Sequence, residues 1–375
     1  MLNGSLVIDA DGHVNDWHVD WPALLPPELR GFAPRSLRDA QGFPRLEAEG
    51  RLLPEEIPDL DYSDVGAAMA ALTRDGKYWL PRRGEEDPLA RLPDMDEMGI
   101  DVAVLFGGHS FLVAAIVESP QIALATLRAY NQHLAGYCAA APERLKGVAM
   151  LPLQAPREAA DELRRCVGEL GFVAGVLPPH HAGGRTLDDA SLAPIWRAAE
   201  ALRVPICIHT IGIQINPARV LAAQYRMREA YGSLSSQLAL GSLVLGGVLD
   251  RHPELRVAFL EAGAGWVPHV IERLQGAWSS FSFRREAAGR APEQVLRGGQ
   301  LYFATEPDEA LLPAVAAIVG EERLVLGSDY CHPEGQCPYT MKTLAARSDL
   351  TPAQKRKILC ENPARLYGLA AGTPP

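Results

Sequence analysis

The sequence predicts a (β/α)8 TIM barrel, and three observations carry that expectation. Eight short apolar runs alternate with amphipathic helical patterns along most of the 375 residues. The runs are continuously apolar rather than alternating, as strands buried on both faces of a parallel sheet must be. No glycine-rich phosphate loop follows the first run, which disfavours an open dinucleotide-binding sheet.

Taken in order, the predicted strands are residues 6–9, 102–106, 145–150, 173–177, 204–209, 256–260, 301–305 and 324–328. Amphipathic stretches such as 159–170, 192–202 and 311–319 lie between them. Residues 15–91 break the repeat. They are rich in Pro, Gly and charge and carry Trp17, Trp21, Tyr78 and Trp79. A structureless loop of this length does not suit a compact domain, so we read an insertion that caps the barrel mouth or makes a dimer surface. A second irregular stretch, 211–241, is a candidate pocket wall. Residues 1–375 are thus expected to form one barrel domain with the 15–91 insertion as its cap.

Composition narrows the function classes. The chain is 47% apolar and 22% charged, with a formal charge of −10. Scattered Lys and Arg in an acidic chain exclude a nucleic-acid partner. No apolar stretch is long enough to span a membrane, and no signal segment is legible, so a cytoplasmic location is expected. The six cysteines form no CxxC pair and read as free, mostly buried thiols.

Metal chemistry is written at the strand ends. Asp11 and His13 follow Leu6-Val7-Ile8, His209 follows Val204-Pro205-Ile206-Cys207-Ile208, Glu261 follows Val257-Ala258-Phe259-Leu260, and Asp329 follows Leu324-Val325-Leu326-Gly327-Ser328. Imidazole nitrogen and carboxylate oxygen are the donors that bind zinc, iron or manganese. In this fold the strands deliver such groups to one C-terminal face. We therefore expect Asp11, His13, His209, Asp329 and Glu261 to surround one or two divalent ions, with zinc first and iron or manganese as alternatives.

The segments Ile8-Asp9-Ala10-Asp11-Gly12-His13, Gly183-Gly184-Arg185, Pro205-Ile206-Cys207-Ile208-His209, Arg251-His252-Pro253-Glu254-Leu255, Gly327-Ser328-Asp329-Tyr330 and Glu361-Asn362-Pro363-Ala364-Arg365-Leu366-Tyr367 carry a resemblance. Together they resemble the amidohydrolase superfamily, in the branch that includes aminocarboxymuconate-semialdehyde and γ-resorcylate decarboxylases. The resemblance implies that Asp11, His13, His209 and Asp329 hold the metal and that the protein forms a homodimer. The chain departs from that branch at strand six, where decarboxylases carry a histidine near the substrate and this chain has Glu261.

Charge counting bears on that departure. Asp11 and Asp329 neutralise a divalent ion, and Glu261 and Glu306 add further negative charge. Like charges about 4 Å apart repel by ~4 kcal/mol at an effective dielectric of 20. Either glutamate then has a raised pKa and acts as acid or base, or a second cation is present. Glu306 could instead cap a helix. His332 is a candidate partner of Asp329, and His180, His181 and Arg185 are candidate substrate contacts. His109, His133, His252 and His269 read as hydrogen-bonded structural residues.

The reaction expected first is hydrolysis of an activated carboxyl derivative by metal-activated water, with Asp329 as proton shuttle. The alternative is non-oxidative decarboxylation of an aromatic or unsaturated acid, in which Asp329 protonates the carbon that loses carbon dioxide. A catalytically silent binding barrel is the third reading; retention of the four core ligand positions argues against it. Trp17, Trp21, Trp79 and Trp266 hint at a small apolar or aromatic substrate.

Overall fold

The structure, a computed structural model, describes residues 5–16, 18–38, 44–53, 82–108, 110–180, 185–210, 231–281, 289–330, 332 and 336–371. In chain order its strands are β1 (Ile8–His13), β2 (Arg35–Arg38), β3 (Pro44–Ala48), β4 (Arg51–Leu53), β5 (Val102–Phe106), β6 (Leu145–Met150), β7 (Ala174–Leu177), β8 (Ile206–His209), β9 (Val257–Leu260), β10 (Leu301–Thr305) and β11 (Leu324–Leu326). All except β2–β4 join one parallel sheet in the order β1-β5-β6-β7-β8-β9-β10-β11. This is the predicted (β/α)8 barrel, and the continuous apolar runs are its buried strands.

The principal helices are α1 (Pro88–Met98), α2 (Ser110–Ile116), α3 (Pro120–Cys138), α4 (Pro156–Glu169), α5 (Ala193–Leu202), α6 (Ser233–Leu245), α7 (Val267–Ser280), α8 (Leu312–Val319) and α9 (Asn362–Tyr367). Several start on proline, whose missing N–H costs nothing in the first turn. Asp87 caps α1 by accepting from the Leu89 and Ala90 amides at 2.9 and 3.3 Å. Gly99 then ends α1 in the left-handed conformation at φ 79° and turns the chain into β5.

The seam between β1 and β11 closes the ring. The His13 amide donates to the Tyr330 carbonyl at 3.1 Å, and the Asp329 amide donates to the Asp11 carbonyl at 2.9 Å. Asp9, fully buried, completes the seam with its side chain. It accepts from the Ser328 amide at 2.7 Å and from the Ser328 hydroxyl at 2.5 Å. Tyr367 of α9 reaches the same strand, donating to the Ala10 carbonyl at 2.7 Å.

β1 runs four residues beyond its expected end at Asp9. Polar side chains at Asp9, Asp11 and His13 interrupt the apolar pattern, yet all three are buried because they face the seam and the barrel centre. The strand also bulges: Asp9 pairs with Ala103 but Gly12 with Leu105, so the strand gains one residue on its neighbour. Asp9 can thus serve the seam while Asp11 and His13 face the centre.

Within the insertion, β2, β3 and β4 form a small antiparallel sheet. Glu49 ties it to the start of α3, accepting from the Glu118 and Ser119 amides at 2.8 and 2.7 Å. Trp17, Tyr78 and Trp79 lie outside the described residues, as do 211–230 of the second irregular stretch. Trp21 is buried in the core. No helix among the described residues is long and apolar enough to cross a membrane. The described cysteines are all free and buried; Cys331 lies outside them.

Candidate metal centre

Strand ends bring Asp11, His13, His209, Glu261 and Asp329 together, and the loop after β11 adds His332. Two sets of three have ligand atoms all within 4.8 Å of one another: Asp11, His13 and His209, and His13, Asp329 and His332. Backbone geometry aims the two outer carboxylates. Glu261 has φ 50° and Asp329 φ 48°, a left-handed region that side chains with a β-carbon avoid and that recurs at functional sites. Close packing fixes Asp11: a β-carbon on Gly327 would lie 2.5 Å from the Asp11 Cβ.

Each histidine of the first set has one nitrogen committed to backbone. His13 Nδ1 lies 2.7 Å from the Gly107 carbonyl, and His209 Nδ1 lies 2.7 Å from the Thr210 carbonyl. With a proton on Nδ1 alone, the form that binds a metal, each ring turns a bare Nε2 toward the centre. His13 Nε2 is 3.4 Å from Asp329 Oδ1 and 3.7 Å from Asp11 Oδ1; His209 Nε2 is 3.5 Å from Asp11 Oδ2. Among the described residues, Asp11 Oδ1, His13 Nε2 and His209 Nε2 are buried with no hydrogen-bond partner. Buried polar atoms rarely go unpaired. Two imidazole nitrogens and carboxylate oxygens converging on one point are the donor set of a divalent cation, so these residues fit one.

Aromatic rings wall the centre. Phe111 stacks on His209 with centroids 4.4 Å apart, and Phe106 lies 6.2 Å from His13. Asp16 sets Phe111 in place by accepting from the Ser110 amide at 2.8 Å, at the start of α2. His332 stacks on His13 with centroids 4.3 Å apart.

Charge is distributed unevenly over these groups. Burial drives His13 well below the ordinary imidazole range, and the neighbouring His332 and His209 push it further. Burial also disfavours a charged His209, but Asp11 and Glu261 outweigh it and raise that ring to about 9. Burial lifts Asp11, with His209 opposing. For Glu261, burial pushes up while His209 and His332 pull down harder, so its carboxyl is held below the usual range. Glu306 stands in the open mouth, exposed to solvent but ringed by protein. That surrounding, followed by Glu309 and Glu261, pushes it up to about 7. Of the two glutamates singled out by charge counting, Glu306 is the one with the raised pKa.

Glu261 Oε2 lies 3.3 Å from His209 Nδ1, the nitrogen turned away from Asp11, and 3.3 Å from Thr210 Oγ1. Its Oε1 is 3.6 Å from His332 Nδ1, which is itself 2.7 Å from Asp329 Oδ1. An imidazole therefore does stand beside Glu261, supplied by the loop after β11 rather than by β9. In the β10 loop it is Glu309, not Glu306, that accepts from the Ala264 amide at 3.1 Å and from Thr305 Oγ1 at 2.7 Å.

Arg185 is held by the Leu153 carbonyl and lies 3.9 Å from Asp189, and among the described residues none of its contacts is to the acidic cluster. His180 is half-buried after β7, and His181 lies outside the described residues. His252 pairs with Glu200 at 3.0 Å, a structural role as expected. Sequence reasoning passed over Asp9, Ser328, Arg91 and Phe111. Asp9 carried a signal, as an acid inside an apolar run; Arg91 reaches β1 from α1, and no sequence spacing shows that.

A model of the family described as amidohydrolase matches residues 8–369. The γ-resorcylate decarboxylase of Rhodococcus jostii is 34% identical over 313 residues, covering 78% of this chain and 92% of that protein. The 2-amino-3-carboxymuconate-6-semialdehyde decarboxylase of Dictyostelium discoideum is 27% identical over 340 residues, 87% of this chain and 92% of that one. A solved dihydroxybenzoic acid decarboxylase from Polaromonas sp. JS666, with bound manganese and the inhibitor 2-nitroresorcinol, superposes with a TM-score of 0.65 at 20% identity, covering 98% and 97% of the two chains.

These relatives overturn hydrolysis as the expected reaction. The physical reason lies at β9. Glu261 in place of a histidine weighed against decarboxylation, but His332 fills the space beside it with an imidazole, which the linear order of residues hides.

Proposed function

The chain belongs to the amidohydrolase family, and on that footing we propose that it is a metal-dependent non-oxidative decarboxylase of a small aromatic or unsaturated acid. The observation that carries this reading is the 34% identity to the Rhodococcus decarboxylase, spread over 78% of the chain. In this proposal Asp11, His13, His209 and Asp329 hold one divalent ion. Manganese is preferred to zinc because a carboxylate-rich set suits it and because the Polaromonas decarboxylase binds it. Bound there, the ion supplies Lewis-acid polarisation of a substrate oxygen.

The remaining work falls to side chains. Asp329 delivers a proton to the ring carbon that bears the carboxylate. The bond to the carboxylate carbon then breaks, its electron pair restores the ring, and carbon dioxide leaves. His332, 2.7 Å from Asp329 Oδ1, returns a proton to Asp329, and Glu261 holds that imidazole in place. Phe106 and Phe111 exclude water and present flat apolar faces that suit an aromatic acid. Glu306 serves as an auxiliary acid at the mouth.

The insertion acts as a cap in this reading. Its two ends are held together: the Asn15 amide donates to the Glu85 carbonyl at 2.9 Å, and the Asn15 side-chain amide to the Glu85 carboxylate at 3.0 Å. His180, His181 and Arg185 are kept as candidate substrate contacts, and a homodimer is proposed from the family likeness.

The reading is tested by incubating the manganese-loaded protein with 2,6-dihydroxybenzoate and related hydroxybenzoates and measuring carbon dioxide. Release that stops when the metal is chelated supports it. No release from any hydroxybenzoate or unsaturated dicarboxylate at full metal loading would refute it.

A further inference from the structure

Arg91 is fully buried on α1, directly behind the metal centre. A guanidinium is always charged and is rarely buried without a partner. Yet no carboxylate of the described residues lies within ion-pair distance of it, and its Nε and Nη2 have no hydrogen-bond acceptor there. What it does touch is specific. Nη1 donates to the His13 carbonyl at 2.8 Å. The guanidinium carbon lies 3.7 Å over the centre of the Tyr330 ring. Nη2 presses on Gly12, where a β-carbon would stand 2.7 Å from it.

These contacts fall on both sides of the barrel seam. His13 belongs to β1, and Tyr330 follows Asp329 after β11. The two segments are joined by the bond from the His13 amide to the Tyr330 carbonyl at 3.1 Å. One planar cation therefore grips the backbone that carries His13 and the ring that follows Asp329. A bulkier residue than glycine at position 12 would push it out.

We infer that Arg91 is a positioning residue for the metal centre: it clamps the His13 and Asp329 segments together and supplies a fixed positive charge behind an acid-rich site. The inference rests on the metal-binding reading above. It explains why a cation without an ion pair is tolerated in the interior, since Asp9 of the same seam lies across Gly12 from it, beyond ion-pair distance; burial raises the Asp9 carboxyl and the Arg91 charge pulls it down. Lysine would keep the charge and one donor but lose the flat surface that lies on Tyr330 and the fork that reaches His13.

The test is manganese affinity, read from the free-ion electron paramagnetic resonance signal, together with the melting temperature of the metal-free protein. The proteins are wild type, Arg91→Met, Arg91→Lys and a control, Glu162→Gln. Glu162 belongs to a buried cluster with Asn131 and Arg165 between α3 and α4. Removing a partner that orients metal ligands costs roughly 10–100-fold in affinity. Arg91→Met should show that loss, Arg91→Lys a smaller one, and Glu162→Gln a lowered melting temperature with unchanged affinity. Arg91→Met binding manganese as wild type does, with only its melting temperature reduced, would make Arg91 a plain structural brace and overturn the inference. If Arg91→Met does not fold, Arg91→Lys decides: a loss of about threefold or more supports the clamp, and a smaller change overturns it. A wild type that binds no manganese would sink the metal-binding reading itself, and the clamp with it.

Discussion

Asp329 sits in left-handed backbone that costs roughly 1 kcal/mol or more, and the fold accepts the strain where it aims a carboxylate at the centre. Asparagine tolerates the same backbone, so Asp329→Asn should fold. It should lose about 10²–10⁴-fold in turnover, the usual contribution of a positioned general acid. A loss below tenfold would remove Asp329 from the proton-transfer step. His209 gives a second prediction. Its pKa of about 9 lies above the ordinary 6.5, so its contribution to folding is complete below 6.5 and disappears as pH rises through 9. Glu306, raised from 4.5 to about 7, adds a loss of the same sign at lower pH. His13, held well below 6.5, acts with the opposite sign, but only at pH values below 6.5. The metal-free protein should therefore melt at progressively lower temperature as pH rises from 6.5 to 9. Manganese must displace the His209 proton, so its affinity should rise over the neutral to alkaline part of that range. A melting temperature that climbs with pH would contradict the charge assignment. At this scale the sequence was informative wherever a polar residue ended an apolar run, as at Asp11, His13, His209 and Asp329. It was silent on His332 meeting Glu261, because that contact joins loops of two different strands.

The seam is the element on which the centre depends. A bulge in β1 separates the duty of Asp9 from that of Asp11 and His13, and Gly327 leaves just enough room for Asp11. Gly327→Ala should displace Asp11, weakening manganese binding and lowering the melting temperature together. Ser328→Ala removes a hydroxyl that donates to the fully buried Asp9, leaving an acceptor short of a partner. A stability loss of about 1–3 kcal/mol is expected in denaturant titration; a neutral substitution would mean the seam does not need that bond. The extension of β1 to His13 was not legible, since its polar residues look like the end of a strand. They are buried because side chains from β1, β8 and β11 meet there, a fact of closure rather than of local pattern.

The barrel as a whole was legible because parallel strands covered on both faces leave continuous apolar runs, and the observed strands fall within a few residues of those runs. The small sheet β2–β4 was not, since its strands carry charge and lie in a segment without apolar runs. The reaction was the least legible feature. Hydrolysis and decarboxylation share the same ligands, and they part only in what reaches the reacting carbon: water or a proton. That difference can be read directly by running the reaction with 2,6-dihydroxybenzoate and the manganese-loaded protein in deuterium oxide, and analysing the product by mass spectrometry and NMR. We predict one deuterium, on the carbon vacated by carbon dioxide, and its disappearance together with product in Asp329→Asn. Product that has lost carbon dioxide yet carries no deuterium on that carbon, or the substrate recovered intact at full metal loading, would contradict decarboxylation at its central step.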